Sequence, residues 1–259
     1  MDITALRKKL ANKLPQPVFD ILAKLYQTRG LSYVPGPLTY NTDGLATKHN
    51  ADFMEDPRFA EAYELGRQTG SWEKYKIHWR VHVLCFAATI AARHEGDFVE
   101  CGVNKGGFSR SVMQYVGFSG LPKTFWLLDT FCGLVEKSLT PEERARGIKP
   151  GGYAPCYDQV LETFRDFKNV KIIKGPIPDT LPQVTAEKVC YLSIDMNCAA
   201  PEIAAAEYFW DRLVPGAMVV LDDYGFEKHI MQKRAFDELA ARRGTEILSL
   251  PTGQGLIIK

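Results

Sequence analysis

Apolar runs of strand length alternate with helical segments from residue 72 to the end of the chain. Seven runs predict β-strands: DFVEC from Asp97, TFWLLD from Thr124, VKII from Val170, KVCYLSID from Lys188, AMVVLDD from Ala217, EILSL from Glu246 and the closing GLIIK. Four segments between them predict helices: GGFSRSVMQYV, YDQVLETFRDF, PEIAAAEYFWDRL and KHIMQKRAFDELAARR. Several strands are apolar on both faces, which indicates a parallel sheet covered by helices. The pattern therefore predicts a doubly wound α/β fold.

The connection between the last two strands sets the direction of the final strand. Only LPTGQG separates them, which is too short for a crossover helix, so the chain must end in an antiparallel hairpin. We therefore expect a mostly parallel, seven-stranded sheet with a reversed C-terminal strand.

Ahead of the sheet, SWEKYKIHWRVHVLCFAATIAARHEG has a helical period and predicts a helix from Trp72 that stops near Gly96.

The first 70 residues follow a different pattern. An amphipathic helix is predicted up to about Arg29, followed by a Pro/Gly/Tyr-rich stretch, GLSYVPGPLTYNTDG, that predicts irregular backbone. A polar segment around DPRFAEAYELGRQ predicts a further helix. We interpret residues 1–70 as an appendage that acts as a lid or an oligomerisation segment, and residues 71–259 as the main domain.

Composition narrows the function classes. The 259 residues are 46% hydrophobic and 24% charged, with a net charge of +1, so no basic surplus favours nucleic acid. No apolar stretch approaches the length of a membrane span. The six cysteines are scattered without a C-x-x-C pair, as in a reduced protein, and the N-terminus is too polar for a secretory signal. We expect a cytoplasmic protein that binds a small molecule, with homo-oligomerisation left open.

The turn after the first strand of the sheet runs from Glu100 to Ser109 and carries Gly102, Gly106 and Gly107. Such a turn, at the start of a helix, is typical of a cofactor site. A dinucleotide site wants a middle glycine where this chain has Asn104, and a carboxylate at Glu100 would repel pyrophosphate. The same carboxylate suits the cationic S-adenosylmethionine. The alternative is a plain tight turn with a solvated glutamate.

Two further positions extend the candidate cofactor site. Asp129 ends the second strand of the sheet, where an acidic side chain accepts hydrogen bonds from ribose hydroxyls in nucleotide-binding folds. Gly175 follows the third strand in the segment KGPIPDTLP, which suits a wall against an adenine ring. A proline-rich loop without a ligand explains that segment equally well.

Three aspartates follow two neighbouring strands of the predicted sheet. Asp195 follows YLSI, and Asp222 and Asp223 follow VVL. Three carboxylates in one cleft repel each other unless a cation neutralises them, and oxygen ligands favour Mg²⁺ or another divalent cation over zinc. Asn197 offers a further carbonyl oxygen. The alternative is that Asp222 or Asp223 merely caps the following helix.

Six ordered motifs resemble the macrocin O-methyltransferase family: ECGVNKGGFS, LLDTFCG, KGPIPDTLP, LSIDMN, VPGAMVVLDDYG and TGQGLIIK. These are class I S-adenosylmethionine-dependent enzymes that methylate sugar hydroxyls and need Mg²⁺. The resemblance spans Trp72 to Lys259 and implies the class I methyltransferase fold. It implies that Glu100, Gly102 and Ser109, on the turn with Asn104 and Gly106, line the methionine end of the cofactor and that Asp129 holds its ribose. By the same resemblance Asp195, Asp222 and Asp223 hold the metal.

The chain departs from the family at the acceptor side. Family members continue after the first metal aspartate with another acidic residue and an aromatic, where this chain has Met196, Asn197 and Cys198. The segment 131–157 contains no histidine. Asp195 and His229 are therefore our candidate catalytic residues, with His229 as base, while a surface histidine is the alternative for His229.

Other bases and other functions stay open at this stage. Tyr153 and Tyr224 are alternative bases. His78 and His82 have the i, i+4 spacing of a metal pair but no third ligand, and helix packing explains them better. The leading hypothesis is an Mg²⁺-dependent O-methyltransferase acting on a small-molecule hydroxyl. An NAD-dependent oxidoreductase and a non-catalytic S-adenosylmethionine-binding protein are the alternatives.

Overall fold

The structure, a computed structural model, describes residues 37–72 and 75–259, together with Pro15, Val18 and Val34. The chain forms two compact units, Met1–Asp52 and Phe53–Lys259. The helix predicted up to Arg29 lies outside the described residues. The function that we expect for residues 1–70 stays a prediction, and its boundary lies later in the chain than the division between the two units.

The described part of the first unit contains a β-hairpin. Strands β1 (Tyr40–Thr42) and β2 (Leu45–Thr47) pair antiparallel. Asp43 and Gly44 connect them with φ of 54° and 72°, and positive φ at both central residues is what a tight hairpin turn requires. Our prediction of irregular backbone up to Gly44 was therefore wrong at its end, because an Asp-Gly turn outweighs the polar character of the flanking residues.

The second unit is built on a seven-stranded sheet, as predicted. Its strands are β3 (Asp97–Cys101), β4 (Phe125–Asp129), β5 (Val170–Lys174), β6 (Val189–Ile194), β7 (Leu213–Leu221), β8 (Leu248–Ser249) and β9 (Gly255–Ile258). The order across the sheet is β5-β4-β3-β6-β7-β9-β8. The first five strands in that order run parallel, while β9 pairs antiparallel with β7 and with β8. The reversed C-terminal strand is confirmed.

Helices connect the strands and cover the sheet. They are α1 (Pro57–Gln68), α2 (His78–Ala91), α3 (Gly107–Val116), α4 (Pro141–Ala145), α5 (Tyr157–Phe164), α6 (Ala199–Trp210) and α7 (Ile230–Arg243). Strand β6 is buried along its whole length, as expected for a central parallel strand. The four predicted interstrand helices are confirmed.

Helix α2 is shorter than its sequence pattern predicted. It begins at His78 and ends at Ala91, whereas the prediction ran from Trp72 to near Gly96. Trp72 is instead buried against Tyr63 and Phe108, with ring centroids 5.5 Å and 5.7 Å away. Apolar periodicity therefore marked residues that pack in the core, although not all of them are helical.

Helix α1 packs closely on α3 within the second unit. Asp56 caps α1 by accepting a hydrogen bond of 2.9 Å from the Phe59 amide. A side chain at Gly66 would overlap Ser111 and the Gly107 carbonyl, so the two helices approach through a glycine. Over residues 37–72 and 75–259, no helix combines the length and apolar character needed to span a bilayer.

Candidate active site

A cleft opens at the carboxyl ends of strands β3, β4, β5 and β6. Its cavity volume is about 110 Å³, and the cleft is partly open to solvent. Four of the predicted site residues on three of these strand ends line it: Gly102, Asn104, Asp129 and Asp195. Gly175, which follows β5, lines it as well. The opposite wall comes from the segment between β4 and α5, including Phe131, Leu134 and Tyr153.

The glycines of the first turn serve contacts within the protein. Gly102 has φ 91°, and a Cβ there would overlap the carbonyl oxygen of Asp195 on the neighbouring strand end. A Cβ at Gly106 would lie 2.5 Å from the Phe164 ring. Sequence reasoning assigned these glycines to ligand approach. The structure shows a second reason why glycine is needed at Gly102, because the ends of β3 and β6 approach each other closely there.

Asp129 ties the first two turns of the sheet together. Its Oδ2 accepts hydrogen bonds from the backbone amides of Val103 and Asn104 at 2.6 Å and 2.7 Å. Its Oδ1 accepts from the Phe131 amide at 2.6 Å. This half-buried carboxylate therefore positions the turn that carries Gly102 and also faces the cleft, where the sequence predicted contact with ribose.

Glu100 lies beneath the first turn, out of solvent. It is buried, and the Ser109 hydroxyl donates a hydrogen bond to its Oε2. Burial raises the pKa of Glu100 to about 8, with Ser109 opposing the shift and Asp129 and Asp222 adding to it. Three of the predicted cofactor residues, Glu100, Gly106 and Ser109, are not among the residues that line the cleft. The alternative of a plain turn with a solvated glutamate is wrong, because Glu100 is buried.

The three aspartates meet as predicted. Ile194 pairs with Leu221, so Asp195 and Asp222 leave adjacent strands side by side. One carboxylate oxygen from each of Asp195, Asp222 and Asp223 lies within 4.8 Å of the others. Asp195 is half-buried on the cleft wall, while Asp222 and Asp223 are buried. Three oxygen donors with one side facing the cleft fit a hard divalent cation.

Repulsion within this carboxylate cluster is visible in its pKa values. Desolvation, followed by Asp222 and Asp223, raises the pKa of Asp195 well above its ordinary value. Burial, followed by Asp222, raises the pKa of Asp223 to about 6, and His229 and Arg80 oppose that shift. Without a cation the buried cluster therefore favours protonated carboxyl groups, and a bound cation would favour their ionised form.

Asp222 has two hydrogen-bond partners, the partly buried Arg80 and the buried Gln254, that sequence reasoning missed. Its Oδ2 accepts from the Arg80 guanidinium Nη1 at 2.6 Å, and its Oδ1 accepts from Gln254 Nε2 at 3.0 Å. Arg80 lies in the first turn of α2 and Gln254 immediately precedes β9, far from Asp222 along the chain. No local spacing pattern signals such contacts.

A second polar network supports the loop after Asp195. Glu202 on α6 is buried, and its Oε1 accepts from the Met196 amide at 2.9 Å and from Gln232 at 2.7 Å. Asn197 donates to Asp195 Oδ1 through its amide nitrogen at 3.2 Å. In this conformation Asn197 is a hydrogen-bond partner of Asp195, whereas the sequence suggested a metal-facing carbonyl oxygen. Burial raises the pKa of Glu202 to about 8.

The segment between β4 and α5 is fastened to α6 by another buried carboxylate. Glu143 on α4 accepts through Oε2 from the amide of Thr140, which closes a capping box. Its Oε1 accepts from the Ala199 amide at 2.7 Å, at the start of α6. Because a helix N-terminus favours a negative charge, this contact suits a carboxylate.

The candidate bases occupy different environments. His229 is buried with its Nδ1 unpartnered, so the alternative of a surface histidine is wrong, yet it is absent from the described residues that line the cleft. Tyr224 donates its hydroxyl to Asp237 at 2.6 Å. Tyr153 lines the cleft and is 44% exposed, and partial desolvation followed by the nearby aspartates raises its pKa to about 12, so it is a hydrogen-bond donor at neutral pH. His78 stacks on Tyr63 and His82 stacks on Phe53, in keeping with a packing role.

The geometry matches solved O-methyltransferases in fold. The chain superposes on the O-methyltransferase NovP with a TM-score of 0.59 and 21% identity, covering 70% of this chain and 79% of that one. An O-methyltransferase from Bacillus cereus in complex with SAH gives a TM-score of 0.51 at 13% identity, covering 80% and 96%. These similarities establish the class I methyltransferase fold.

The model of the macrocin O-methyltransferase (TylF) family matches residues 80–246, from Arg80 to beyond the carboxylate cluster. The chain belongs to the macrocin O-methyltransferase family. This assignment confirms the resemblance drawn from the motifs. It disfavours the oxidoreductase alternative, as does Asn104 in place of a dinucleotide-site glycine.

Two curated relatives are similar to part of the chain. A tetracenomycin 4'-O-methyltransferase from Streptomyces olivaceus, whose named substrate carries a dimethoxy-rhamnosyl group, is 27% identical over 154 residues. Mycinamicin III 3''-O-methyltransferase from Micromonospora griseorubida is 24% identical over 153 residues. The matched regions cover 55% and 54% of this chain. They cover 58% and 59% of those proteins, so the chain spans less than two thirds of either relative.

Proposed function

We propose that this protein transfers the methyl group of S-adenosylmethionine to a hydroxyl on the sugar of a glycosylated small molecule. The observation that carries the proposal is the meeting of Asp195, Asp222 and Asp223 at the edge of the cleft that Asp129 also lines. Family membership supports the reaction type. The rhamnosyl group in the name of one relative's substrate supports a sugar acceptor.

On the cofactor side, the residues supply shape and charge. Asp129 holds the ribose hydroxyls while its backbone donors keep the first turn in place. Gly175, with φ 146°, and the adjoining Pro176 and Ile177 form the wall for adenine. Glu100 lies under the turn as a carboxyl whose ionisation a cation would favour, which matches the charge of the methionine end.

On the acceptor side, we propose that Asp195, Asp222 and Asp223 hold Mg²⁺ or another divalent cation. A cation bound there would lower the pKa of a hydroxyl and orient its oxygen. Asp195 is the member of the cluster that lines the cleft, which makes it the first candidate to take the hydroxyl proton. His229 stays a prediction as an alternative base.

Two measurements test the proposal. Calorimetric titration of S-adenosylhomocysteine, with and without Mg²⁺, should show saturable binding. Incubation with S-adenosylmethionine, Mg²⁺ and paired glycosides and aglycones should add one methyl group, detected by mass spectrometry, to glycosides alone. NAD binding in place of S-adenosylhomocysteine would contradict the cofactor assignment. Cofactor binding without product from any glycoside would favour the non-catalytic alternative.

The metal role has its own variant. The Asp222→Asn/Asp223→Asn double substitution should retain S-adenosylhomocysteine binding and lose about 100-fold or more of its Mg²⁺-dependent turnover, since the cation supplies several kcal/mol. Asp211→Asn, at an exposed aspartate paired with Arg243, is the matched control and should turn over normally. Unchanged turnover in the double variant would overturn the metal role.

A further inference from the structure

A partly buried arginine contacts the carboxylate cluster. The Arg80 side chain is 18% exposed and that of Asp222 is 2% exposed, with Nη1 and Oδ2 only 2.6 Å apart. The Arg80 guanidinium also lies over the Phe226 ring, 5.6 Å from its centroid. Helix α2, which carries Arg80, and Phe226, which follows β7, therefore both position the guanidinium next to Asp222.

The opposite side of Asp222 is held by a neutral donor. Gln254 Nε2 donates to Oδ1 at 3.0 Å, and the Thr252 hydroxyl donates to Gln254 Oε1 at 2.9 Å. Asp222 therefore keeps its orientation through Gln254 as well as through Arg80. The two partners of Asp222 therefore differ, because Arg80 contributes both charge and position whereas Gln254 contributes position without charge.

The charges around Asp222 indicate that Arg80 and a divalent cation would compete for its carboxylate. Three carboxyl groups lie close together, and among the described residues Arg80 forms an ion pair with one of them, Asp222. A guanidinium stays charged at every physiological pH. A divalent cation at the cluster would share Asp222 with that charge in a poorly screened site and would be repelled by it.

We propose that Arg80 is the resident counter-ion of the cluster and weakens its binding of divalent cations by competing for Asp222. The inference rests on the proposed metal site. If Arg80 only positioned Asp222, we would expect the opposite result. Loss of its side chain would then misorient Asp222 and weaken metal binding.

Calorimetric titration of Mg²⁺ alone into the protein, without cofactor or acceptor, separates the two roles. Arg80→Gln removes the charge and keeps a polar side chain, so Mg²⁺ should bind about 10–100-fold tighter, the range of changes around metal ligands. Arg80→Lys keeps the charge and should stay within about threefold of the natural protein. Arg110→Gln, a half-buried arginine over the Phe167 ring, is the control and should change nothing. Equal or weaker binding in Arg80→Gln would overturn the inference.

Thermal unfolding gives a second readout that is independent of turnover. In EDTA, Arg80→Gln should unfold at a lower temperature than the natural protein, because three carboxylates are left without their counter-ion. Saturating Mg²⁺ should restore more stability to the variant than it adds to the natural protein. An equal loss in EDTA and in Mg²⁺ would overturn the inference. If neither the natural protein nor Arg80→Gln binds Mg²⁺, both the metal part of the proposed function and this inference fail. If the two proteins bind Mg²⁺ equally, only this inference fails.

Discussion

At the scale of single residues, burial of Glu100 links its ionisation to cofactor binding. Its carboxyl is out of solvent and accepts a hydrogen bond from the Ser109 hydroxyl. Its pKa of about 8 means that ionisation is disfavoured in the unliganded protein. A cationic ligand above the turn would favour the ionised form, and cofactor binding would then draw on that charge.

Glu100→Gln should therefore weaken S-adenosylmethionine binding by about tenfold or more, because the amide keeps the shape without the charge. The difference from the natural protein should widen between about pH 6 and pH 8.5, as Glu100 ionises through its pKa of about 8. Calorimetric titration at both pH values measures this. Glu95→Gln, at an exposed glutamate paired with Lys188, is the control. A constant affinity ratio across that range would contradict the charge role of Glu100.

At the scale of elements, the segment between β4 and α5 depends on one docking contact. Glu143 is buried and joins Thr140 in its own helix to Ala199 at the start of α6. The same segment supplies Phe131, Leu134 and Tyr153 to the cleft wall. Its position therefore shapes the side of the cleft that we assign to the acceptor.

Glu143→Ala should loosen this segment, because it leaves the amides of Thr140 and Ala199 buried without their acceptor, at about 1–3 kcal/mol for each unsatisfied group. Hydrogen exchange in peptides from residues 134–151 should become faster, while strand β6 keeps its protection. The neighbouring Glu142→Ala is the control, since Glu142 pairs with Arg234 at the surface. Equal exchange in both variants would show that Glu143 does not fasten the segment.

At the scale of the whole molecule, buried acids govern the pH dependence of stability. The pKa of Glu100 and that of Glu202 are both raised to about 8, chiefly by burial. Unfolded glutamate has a pKa near 4.3, so above pH ~5 the folded protein holds protons that the unfolded chain has released. Stability from these groups is greatest below the unfolded pKa and falls until they ionise in the folded state as well.

The unliganded protein should therefore lose stability between about pH 7 and pH 9, by roughly 1 kcal/mol for each of the two carboxyls. Burial lowers the pKa of both His78 and His82, so those histidines act only at lower pH. Denaturant unfolding at three pH values checks the slope. Glu100→Gln/Glu202→Gln should flatten it, while Glu207→Gln, exposed on the same helix as Glu202, should not. A flat profile in the natural protein would refute this account.

Much of the architecture follows from local pattern. Seven strands, the helices between them and the final hairpin were predictable because period, length and turn chemistry are properties of contiguous residues. The gathering of Asp195, Asp222 and Asp223 was predictable as well, since parallel strands end at the same edge of a sheet. Local pattern was wrong at Trp72, which packs in the core but precedes the first residue of α2. It was also wrong at Gly44, which lies in the turn of a β-hairpin.

The amino-acid sequence by itself determined the fold class and the edge of the sheet at which Asp195, Asp222 and Asp223 meet, because strand period and strand ends are properties of contiguous residues. Only the tertiary structure decided what surrounds them. The guanidinium of Arg80 reaches Asp222 across 142 positions, and Glu143 reaches Ala199 across 56. Contacts of that range depend on how helices pack over the sheet, and the packed interior, more than the motif, decides the charge state of a buried carboxylate.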